Sequence, residues 1–504
     1  MMTKRPNGNQ RLLYNFSLED RIPQDHLLRK IKDSVDFDFI YGLVENHYSH
    51  TGAPSVDPVV IFKLSLIGYL YNISSERRLL EEAKLNLAYL WFLDYDIDEI
   101  LPDHSIMTKT RIRFGTEIFR KFFHRVVEIC INAGLVEGDT AYLDATLINS
   151  KALVNDCRSK VLVDELNKKA DSFVDELFSE DSLEEAGLSS EDNDDCKLDH
   201  SQKPTDKDST EKKFNSNPKS KIPKKANERF THPKDQDADI VRRSDNPLGL
   251  YYKGHIAVDG GESRIVTSVF VTGGAMADEH LLLKLLTEHE TLAGPLKNLV
   301  ADQKYGTTTN FRTLKAKDIN PVIVPSIGRG PAEGYGKDKF MYNRTNDIYI
   351  CPQGNILTKA KKFHRWQPYR SKKSNCSACS LKQQCTTGKE RKTIMRGPND
   401  IIFSWARDML TAPLAKELKR RRCIWPETVF ANAKEFHGLD EAKYRGRWKV
   451  EIQMLMTATA MNLKKLAKYK GLPTTQSGAK AKTAFEKYAG RLFSLSFQLN
   501  PTFN

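Results

Sequence analysis

The most constraining feature of this 504-residue chain is a series of short apolar segments that alternate with turn-forming residues between positions 140 and 325. The first segment, T-A-Y-L-D-A-T-L-I, has the two-residue period of a strand and places Asp144 on the same face as Tyr142 and Ile148. Two more segments flank Gly260-Gly261, which is the pattern of a β-hairpin. In chain order, the pattern predicts strands over 140–148, 249–259 and 263–272, a helix over 280–292, a strand over 298–301, a helix over 311–317 and a strand over 321–325. This order predicts an α/β fold with a mixed sheet.

Three acidic residues stand where strands and a helix are able to bring carboxylates together. Asp144 lies within the first strand, Asp302 directly follows the strand over 298–301, and Glu427 opens a helical pattern at Pro426. Ligands in open α/β sheets gather at the carboxyl ends of strands. Carboxylates are the hard oxygen ligands of Mg²⁺ or Mn²⁺, and two such ions clamp the oxygens of a phosphoryl transfer. We therefore predict that Asp144, Asp302 and Glu427 are catalytic residues and metal ligands.

The charge of the chain indicates its partner. A formal net charge of +13 favours a polyanion, either nucleic acid or an anionic membrane surface. No uninterrupted apolar run approaches 18 residues, and the longest candidate is broken by Lys63. The first residues, M-M-T-K-R-P, lack the apolar region of a secretory signal. We therefore expect a cytoplasmic, nucleoid-associated protein that binds DNA and not a membrane.

The N-terminal 135 residues have helical spacing, with apolar positions over 58–70, 74–93 and 105–133. A turn at 102–105 with Ser105 as N-cap precedes a helix that carries Lys109, Arg111 and Arg113. A capped turn before a basic helix is compatible with DNA binding of the helix-turn-helix kind. A helical bundle with a solvated basic face fits the pattern equally well, so both interpretations stay open.

The remaining segments differ in composition. Residues 156–245 are rich in charge and poor in apolar residues, apart from a predicted exposed helix over 161–177, and are expected to be a partly disordered or loosely helical insertion. The predicted divisions are a helical, DNA-binding domain over 1–135, the first catalytic strand over 136–155, the insertion over 156–245, the α/β core over 246–345, a basic cysteine-rich segment over 346–400, catalytic helices over 401–470 and a tail over 471–504.

The cysteine-rich segment has two features of its own. Its cysteines follow the spacing C-x24-C-x2-C-x5-C, which suits a four-thiolate zinc site, although free thiols without metal are the alternative. Basic residues interleaved with Phe363 and Trp366 suit contact with DNA phosphates and stacking on bases. The predicted zinc ligands are Cys351, Cys376, Cys379 and Cys385, and the predicted DNA-binding residues are Lys361, Lys362 and Arg365.

Several motifs in a fixed order carry a family resemblance. They include S-S-E-R-R-L-L-E-E-A, P-D-H-S-I-M-T-K, L-D-A-T-L-I-N-S, V-A-D-Q-K-Y-G, W-P-E-T-V-F-A-N-A-K-E-F-H-G-L and Y-R-G-R-W-K-V-E-I-Q-M-L. The chain resembles the DDE transposases of bacterial insertion sequences. The resemblance implies a ribonuclease-H-like core, dependence on Mg²⁺, and cutting and joining of double-stranded DNA at the inverted-repeat ends of the element, with a homodimer on the DNA. It also implies that Lys434, seven residues after Glu427, reaches a DNA phosphate.

Two questions stay open at this stage. Glu451 in Y-R-G-R-W-K-V-E is a rival for the third carboxylate, although Ala458 stands where the related signature has lysine. If Glu427 is the ligand, Glu451 is expected to be a salt-bridged surface residue, and Arg447, like Lys304, is predicted to contact DNA. The alternative functions are a nuclease or resolvase that does not join strands, and a non-catalytic zinc-containing DNA-binding protein.

Overall fold

The computed structural model describes residues 17–48, 55–177, 226–243, 246–326, 334–386 and 391–469. Its α-helices are α1 (Leu18–Arg21), α2 (Leu27–Ser34), α3 (Phe39–Val44), α4 (Pro58–Leu70), α5 (Glu76–Leu85), α6 (Leu87–Leu93), α7 (Ser105–Asn132), α8 (Lys160–Leu177), α9 (Ala226–Arg229), α10 (Leu282–Ala293), α11 (Thr308–Ala316), α12 (Lys373–Ser377), α13 (Lys382–Cys385), α14 (Asp400–Met409), α15 (Pro413–Arg422), α16 (Trp425–His437) and α17 (Arg447–Lys468). Its strands are β1 (Thr140–Asn149), β2 (Arg158–Ser159), β3 (Phe230–Thr231), β4 (Asp239–Arg243), β5 (Asn246–Asp259), β6 (Val266–Gly273), β7 (Asn298–Ala301), β8 (Asn320–Val322), β9 (Met341–Asn343), β10 (Ile348–Ile350), β11 (Ile356–Lys359), β12 (Gln367–Arg370) and β13 (Thr393–Arg396).

The central sheet is built around β1, which has a neighbour on each side. Its strand order is β4-β5-β1-β7-β8, and β6 pairs with the second half of β5. β5 runs antiparallel to β1, whereas β7 and β8 run parallel to it. The hairpin between β5 and β6 turns at Gly260-Gly261, where the Asp259 carboxylate accepts a hydrogen bond from the backbone N–H of Gly261 at 2.8 Å. The mixed sheet predicted from the sequence is confirmed.

Helices cover both faces of this sheet. On one face, α17 packs against α2, α4, α7 and β6, and the N-terminal helices share one continuous hydrophobic core with the sheet. On the other face, α10, α11 and α14 form a second core around Leu285, Phe311 and Ala406. The helix α4 is buried on almost all sides, so the N-terminal region packs as a helical bundle on the central sheet. A DNA-binding role for this region stays a prediction.

Part of the segment predicted to be disordered is ordered. The helix α8 confirms that residues 161–177 are helical, whereas β4 is an edge strand of the central sheet that was not predicted from the sequence. The carboxylate of Asp235, just before β4, is buried and accepts a hydrogen bond from the backbone N–H of Gly446 at 3.1 Å. Sequence patterning missed β4 because D-I-V-R-R combines two buried apolar residues with charge at a sheet edge. Residues 178–225, with the acidic and lysine-rich tracts, lie outside the described residues, as does the tail from 470.

The cysteine-rich segment forms a small sheet of its own. Its strand order is β13-β12-β11-β10-β9, and every pairing is antiparallel. Tyr349, Leu357, Tyr369 and Ile394 make a compact core beneath it. This sheet holds the turn between β11 and β12 away from its core and exposed to solvent. Within the described ranges, no helix combines the length and the apolar character needed to cross a membrane.

Candidate active site

Asp144 and Asp302 are neighbours on adjacent parallel strands. The register of β1 and β7 pairs Leu143 with Ala301, so the next residue on each strand is an aspartate. Adjacent strands lie about 4.8 Å apart, so the two carboxylates begin from neighbouring positions on one face of the sheet. Asp302 ends the strand and opens a short 3₁₀ helix, with its Oδ1 accepting a hydrogen bond from the backbone N–H of Gln303 at 2.7 Å. Asp302 thus follows the apolar run N-L-V-A and lies at the carboxyl end of β7, as predicted.

The surroundings of Asp144 oppose its negative charge. The pKa of Asp144 is raised to about 6 overall, mainly by burial and also by the nearby carboxylates of Asp302 and Asp278. The backbone N–H of Ala145, which donates to Oδ1 at 2.9 Å, and the guanidinium of Arg422 partly offset the increase. A buried carboxylate beside other carboxylates is a site that gains from a bound cation. The donor set is therefore chemically suited to a hard divalent ion such as Mg²⁺.

Basic side chains surround the aspartate pair. Arg422, the last residue of α15, places Nη2 3.6 Å from Asp302 Oδ1. Lys304 Nζ lies 3.8 Å from Asp302 Oδ2 and 3.5 Å from Asp278 Oδ2, and Lys253 Nζ lies 2.9 Å from Asp278 Oδ1. Asp278 is a buried partner of Lys253 and extends the charged network. Arg422 was not among the predicted site residues, because the basic run K-R-R-R before W-P-E indicates a cationic segment but not its contact with Asp302.

Glu427 lies in the first turn of α16, close in sequence to a contact with the sheet. Trp425 packs on Tyr142 of β1 with ring centroids 5.3 Å apart, and Tyr142 shares its strand face with Asp144. The Glu427 side chain itself is exposed, and Lys434 lies on the same face of the helix. Among the described residues, no three His, Cys, Asp or Glu side chains are close enough together to hold one metal ion. The structure thus brings Asp144 and Asp302 together and leaves Glu427 on an adjoining element.

Glu451 occupies a different environment. It lies in the first half of α17 and forms an ion pair with Arg120 of α7, which also pairs with the buried Glu288 of α10. Only 17% of the Glu451 side chain is exposed. The predicted ion pair is therefore present, but it is largely buried and does not lie on the surface, where it was predicted. These contacts tie three helices together and make Glu451 a bracing residue.

The predicted DNA-binding residues fall into two groups. Arg111 is buried, forms an ion pair with Glu76, and stacks 4.1 Å from the ring centroid of Tyr444. Its guanidinium is therefore not free to contact DNA, which corrects that prediction, and a basic residue on a helical pattern could not reveal this burial. The others are exposed or partly exposed and stay predictions: Arg113 on α7, Lys304 beside Asp302, Lys434 on α16, Arg447 at the start of α17, and Lys361, Lys362 and Arg365 between β11 and β12.

The four cysteines of the small sheet lie in one region. Burial raises the pKa of the Cys385 thiol, and the nearby thiols of Cys376, Cys351 and Cys379 raise it further. The Sγ of Cys376 is 2.8 Å from Ser371 Oγ, and the backbone N–H of Asn355 donates to Cys351 Sγ at 3.3 Å. The cysteines within the described ranges are free thiols, and no three are placed as metal ligands. The structure therefore does not support the zinc prediction.

Comparison with known protein families gives two matches in chain order. Residues 16–113 match the model of a transposase domain (DUF772), and residues 350–467 match the model of a transposase DDE domain. Both matches are to transposase domains, and together they support a DDE transposase of an insertion element. No curated protein and no solved structure matches it. The transposase DDE domain implies a ribonuclease-H-like fold. The match to it also supports a function as a DNA-cleaving enzyme of an insertion element. Glu427 and Glu451 both lie within the second match, whereas Asp144 and Asp302 lie between the two matches.

Proposed function

We propose that this transposase cuts and joins DNA at the inverted-repeat ends of its element, with Asp144, Asp302 and Glu427 as the residues that hold two divalent metal ions. The observation that supports this most strongly is the adjacency of Asp144 and Asp302 on parallel strands. When bound, Mg²⁺ or Mn²⁺ would activate the attacking oxygen and stabilise the leaving oxygen of an in-line displacement.

The residues of the chain have separate tasks in this proposal. Asp144 and Asp302 supply charged oxygens from the rigid sheet, which fixes the position of the reacting phosphate relative to β1 and β7. Glu427 completes the set from α16, and its position in the first helical turn is favoured by the helix dipole. For Glu427 to bind the same metal ions as the two aspartates, the start of α16 must approach them. DNA that binds along Lys434, on the same face of the helix, favours this approach.

The exposed turn between β11 and β12 is the part of the small sheet best suited to DNA. It presents Lys361, Lys362 and Arg365 together with the aromatic rings of Phe363 and Trp366. Phe363 is 61% exposed. Cations bind phosphates regardless of sequence, and exposed rings stack on unpaired bases. The proposed substrate is double-stranded DNA that carries the ends of the element, together with target DNA, and a homodimer would engage the two ends.

An assay of both reaction steps tests this function. The full chain is incubated with Mg²⁺, labelled double-stranded DNA that carries the terminal repeats of the element, and a circular target. We expect cleavage at the repeat ends and covalent joining of those ends to the target. Cleavage without joining would support the nuclease alternative, and a lack of metal-dependent cleavage would contradict the proposal.

A further inference from the structure

Arg422 differs from the other arginines at the end of α15. The last turn of α15 carries Lys419, Arg420, Arg421 and Arg422. Arg420 and Arg421 both pair with Glu417 of the same helix, with nitrogen–oxygen distances of 3.0 Å. Arg422 instead faces the sheet, and 24% of its side chain is exposed. Its ion-pair partner is Asp302, and it also lowers the pKa of Asp144. One guanidinium thus acts on both aspartates.

The contact between Arg422 and Asp302 is loose. The 3.6 Å separation of Nη2 and Oδ1 exceeds the 2.7–2.9 Å typical of a charge-assisted hydrogen bond. The Nε of Arg422 is buried and has no hydrogen-bond partner among the described residues. A guanidinium in a fixed structural role normally uses its fork of donors in short, paired hydrogen bonds. Arg422 is therefore held by the negative charge of the aspartates and not by a specific network.

We propose that Arg422 is a built-in counter-ion of the Asp144–Asp302 pair and that a divalent metal ion displaces it. This inference rests on the proposed function, because it takes the two aspartates as metal ligands. A guanidinium and a divalent cation compete for the same carboxylate oxygens, so the positive charge of Arg422 weakens metal binding in the absence of DNA. Arg422 is a positioning residue in this account and contacts no reacting atom.

The position of Arg422 in the chain gives the displacement a consequence. Only four residues, Cys423 to Pro426, separate Arg422 from Glu427. The guanidinium that the metal ion displaces therefore stays at the end of α15, close in sequence to Glu427, the third carboxylate of the proposed site, which is exposed on α16.

Manganese binding tests the proposal without measuring activity. The full chain is titrated with Mn²⁺ in the absence of DNA, and free Mn²⁺ is followed by electron paramagnetic resonance. We expect Arg422→Gln to bind Mn²⁺ at least roughly fivefold more tightly than the parent chain, because a competing charge is removed. The matched control is Arg420→Gln, which lies two residues from Arg422 and removes the same charge from a side chain that is paired with Glu417. The Mn²⁺ affinity of this control should stay within about twofold of the parent value. Equal or weaker binding by Arg422→Gln would overturn the proposal.

Two further variants separate this outcome from failure of the proposed function. Arg422→Lys keeps the charge and should bind Mn²⁺ with nearly parental affinity, which provides a reading even if Arg422→Gln unfolds. Gain of affinity by Arg422→Lys equal to that of a folded Arg422→Gln would contradict a role for the charge. Asp302→Asn should weaken Mn²⁺ binding. If it leaves Mn²⁺ binding unchanged, the aspartates are not the ligands and the proposed function itself fails, whatever Arg422 does.

Discussion

Asp144 combines a buried position with a charge that its neighbours oppose. Its pKa, about 6 in the folded chain, lies above the ordinary value of 3.8, so the folded state binds the proton more tightly than the unfolded state does. The favourable contribution is complete below about pH 4 and is lost as the pH rises through 6. At neutral pH, the ionised Asp144 therefore destabilises the fold, which is expected of a residue kept for its chemistry.

Asp144→Asn should consequently stabilise the chain in metal-free buffer at pH 7.5. The neutral amide removes the buried charge, and the gain in unfolding free energy should be on the order of 1–3 kcal/mol. Denaturant unfolding at pH 7.5 and pH 4 measures it, and the gain should nearly vanish at the lower pH. Asp139→Asn, at the exposed start of the same strand pair, should show no comparable gain. A loss of stability in Asp144→Asn at pH 7.5 would contradict the described electrostatics.

The two glutamates should respond differently to the same change. Glu427→Gln should lose cleavage with stability intact, because the exposed amide keeps its shape but cannot bind a metal ion as a charged ligand. Glu451→Gln should lose roughly 1 kcal/mol of stability and keep cleavage, since Arg120 retains Glu288 as a partner. Thermal unfolding and cleavage are measured on both variants. An inactive, stable Glu451→Gln beside an active Glu427→Gln would move the third carboxylate to α17.

At the scale of the elements, the exposed turn between β11 and β12 is predicted to bind DNA through its basic residues. Replacement of Lys361, Lys362 and Arg365 by Gln should weaken binding to specific and random DNA alike, and should reduce the slope of log affinity against log salt by about 2–3. Fluorescence anisotropy at several salt concentrations measures both effects. The control replaces Lys297 and Lys317, which lie at the amino ends of β7 and β8, away from Asp302. An unchanged salt slope in the triple variant would exclude this turn from the interface.

The same scale shows what the sequence could predict. The limits of α4, β7 and α8 followed closely from apolar spacing, and Asp302 at the end of β7 followed from the run N-L-V-A-D. Local patterns could not predict the contact of Arg422 with Asp302 or the burial of Arg111, because both depend on elements that are distant in sequence. Spacing also did not reveal that Asn86, which caps α6 by accepting from Ala88 and Tyr89, divides the predicted helix over 74–93 into two.

At the scale of the whole molecule, two buried histidines make the stability of the fold depend on pH. His437 at the end of α16 donates from Nδ1 to the backbone carbonyl of Tyr69 in α4 at 2.7 Å. Its pKa is lowered to about 4 overall, mainly by burial and also by the nearby charges of Lys464 and Lys443. Burial also lowers the pKa of His255 in β5 to about 4, where Asp278 opposes the change and Lys253 adds to it. Both side chains are therefore neutral in the folded chain at neutral pH.

Acid should therefore destabilise the fold. A histidine with a depressed pKa contributes fully above its ordinary value of 6.5, and this stability is lost as the pH falls towards 4. Each histidine should account for roughly 2–3 kcal/mol of that loss. Unfolding free energies of His437→Asn and His255→Gln should fall less steeply over this interval than those of the parent or of the exposed control His104→Asn. Equal slopes in all four chains would contradict this.

The central claim is that Asp144 and Asp302 hold the metal ions at which DNA is cut. Its most direct test compares Mg²⁺-dependent cleavage of DNA bearing the element ends by Asp144→Asn, Asp302→Asn and the control Asp139→Asn. We expect both site variants to lose more than about a hundredfold in rate, beyond the 10–100-fold typical of a lost supporting contact, while DNA affinity and folding persist. Asp139→Asn should cleave at nearly the parental rate. Substantial Mg²⁺-dependent cleavage by either Asp144→Asn or Asp302→Asn would contradict the claim.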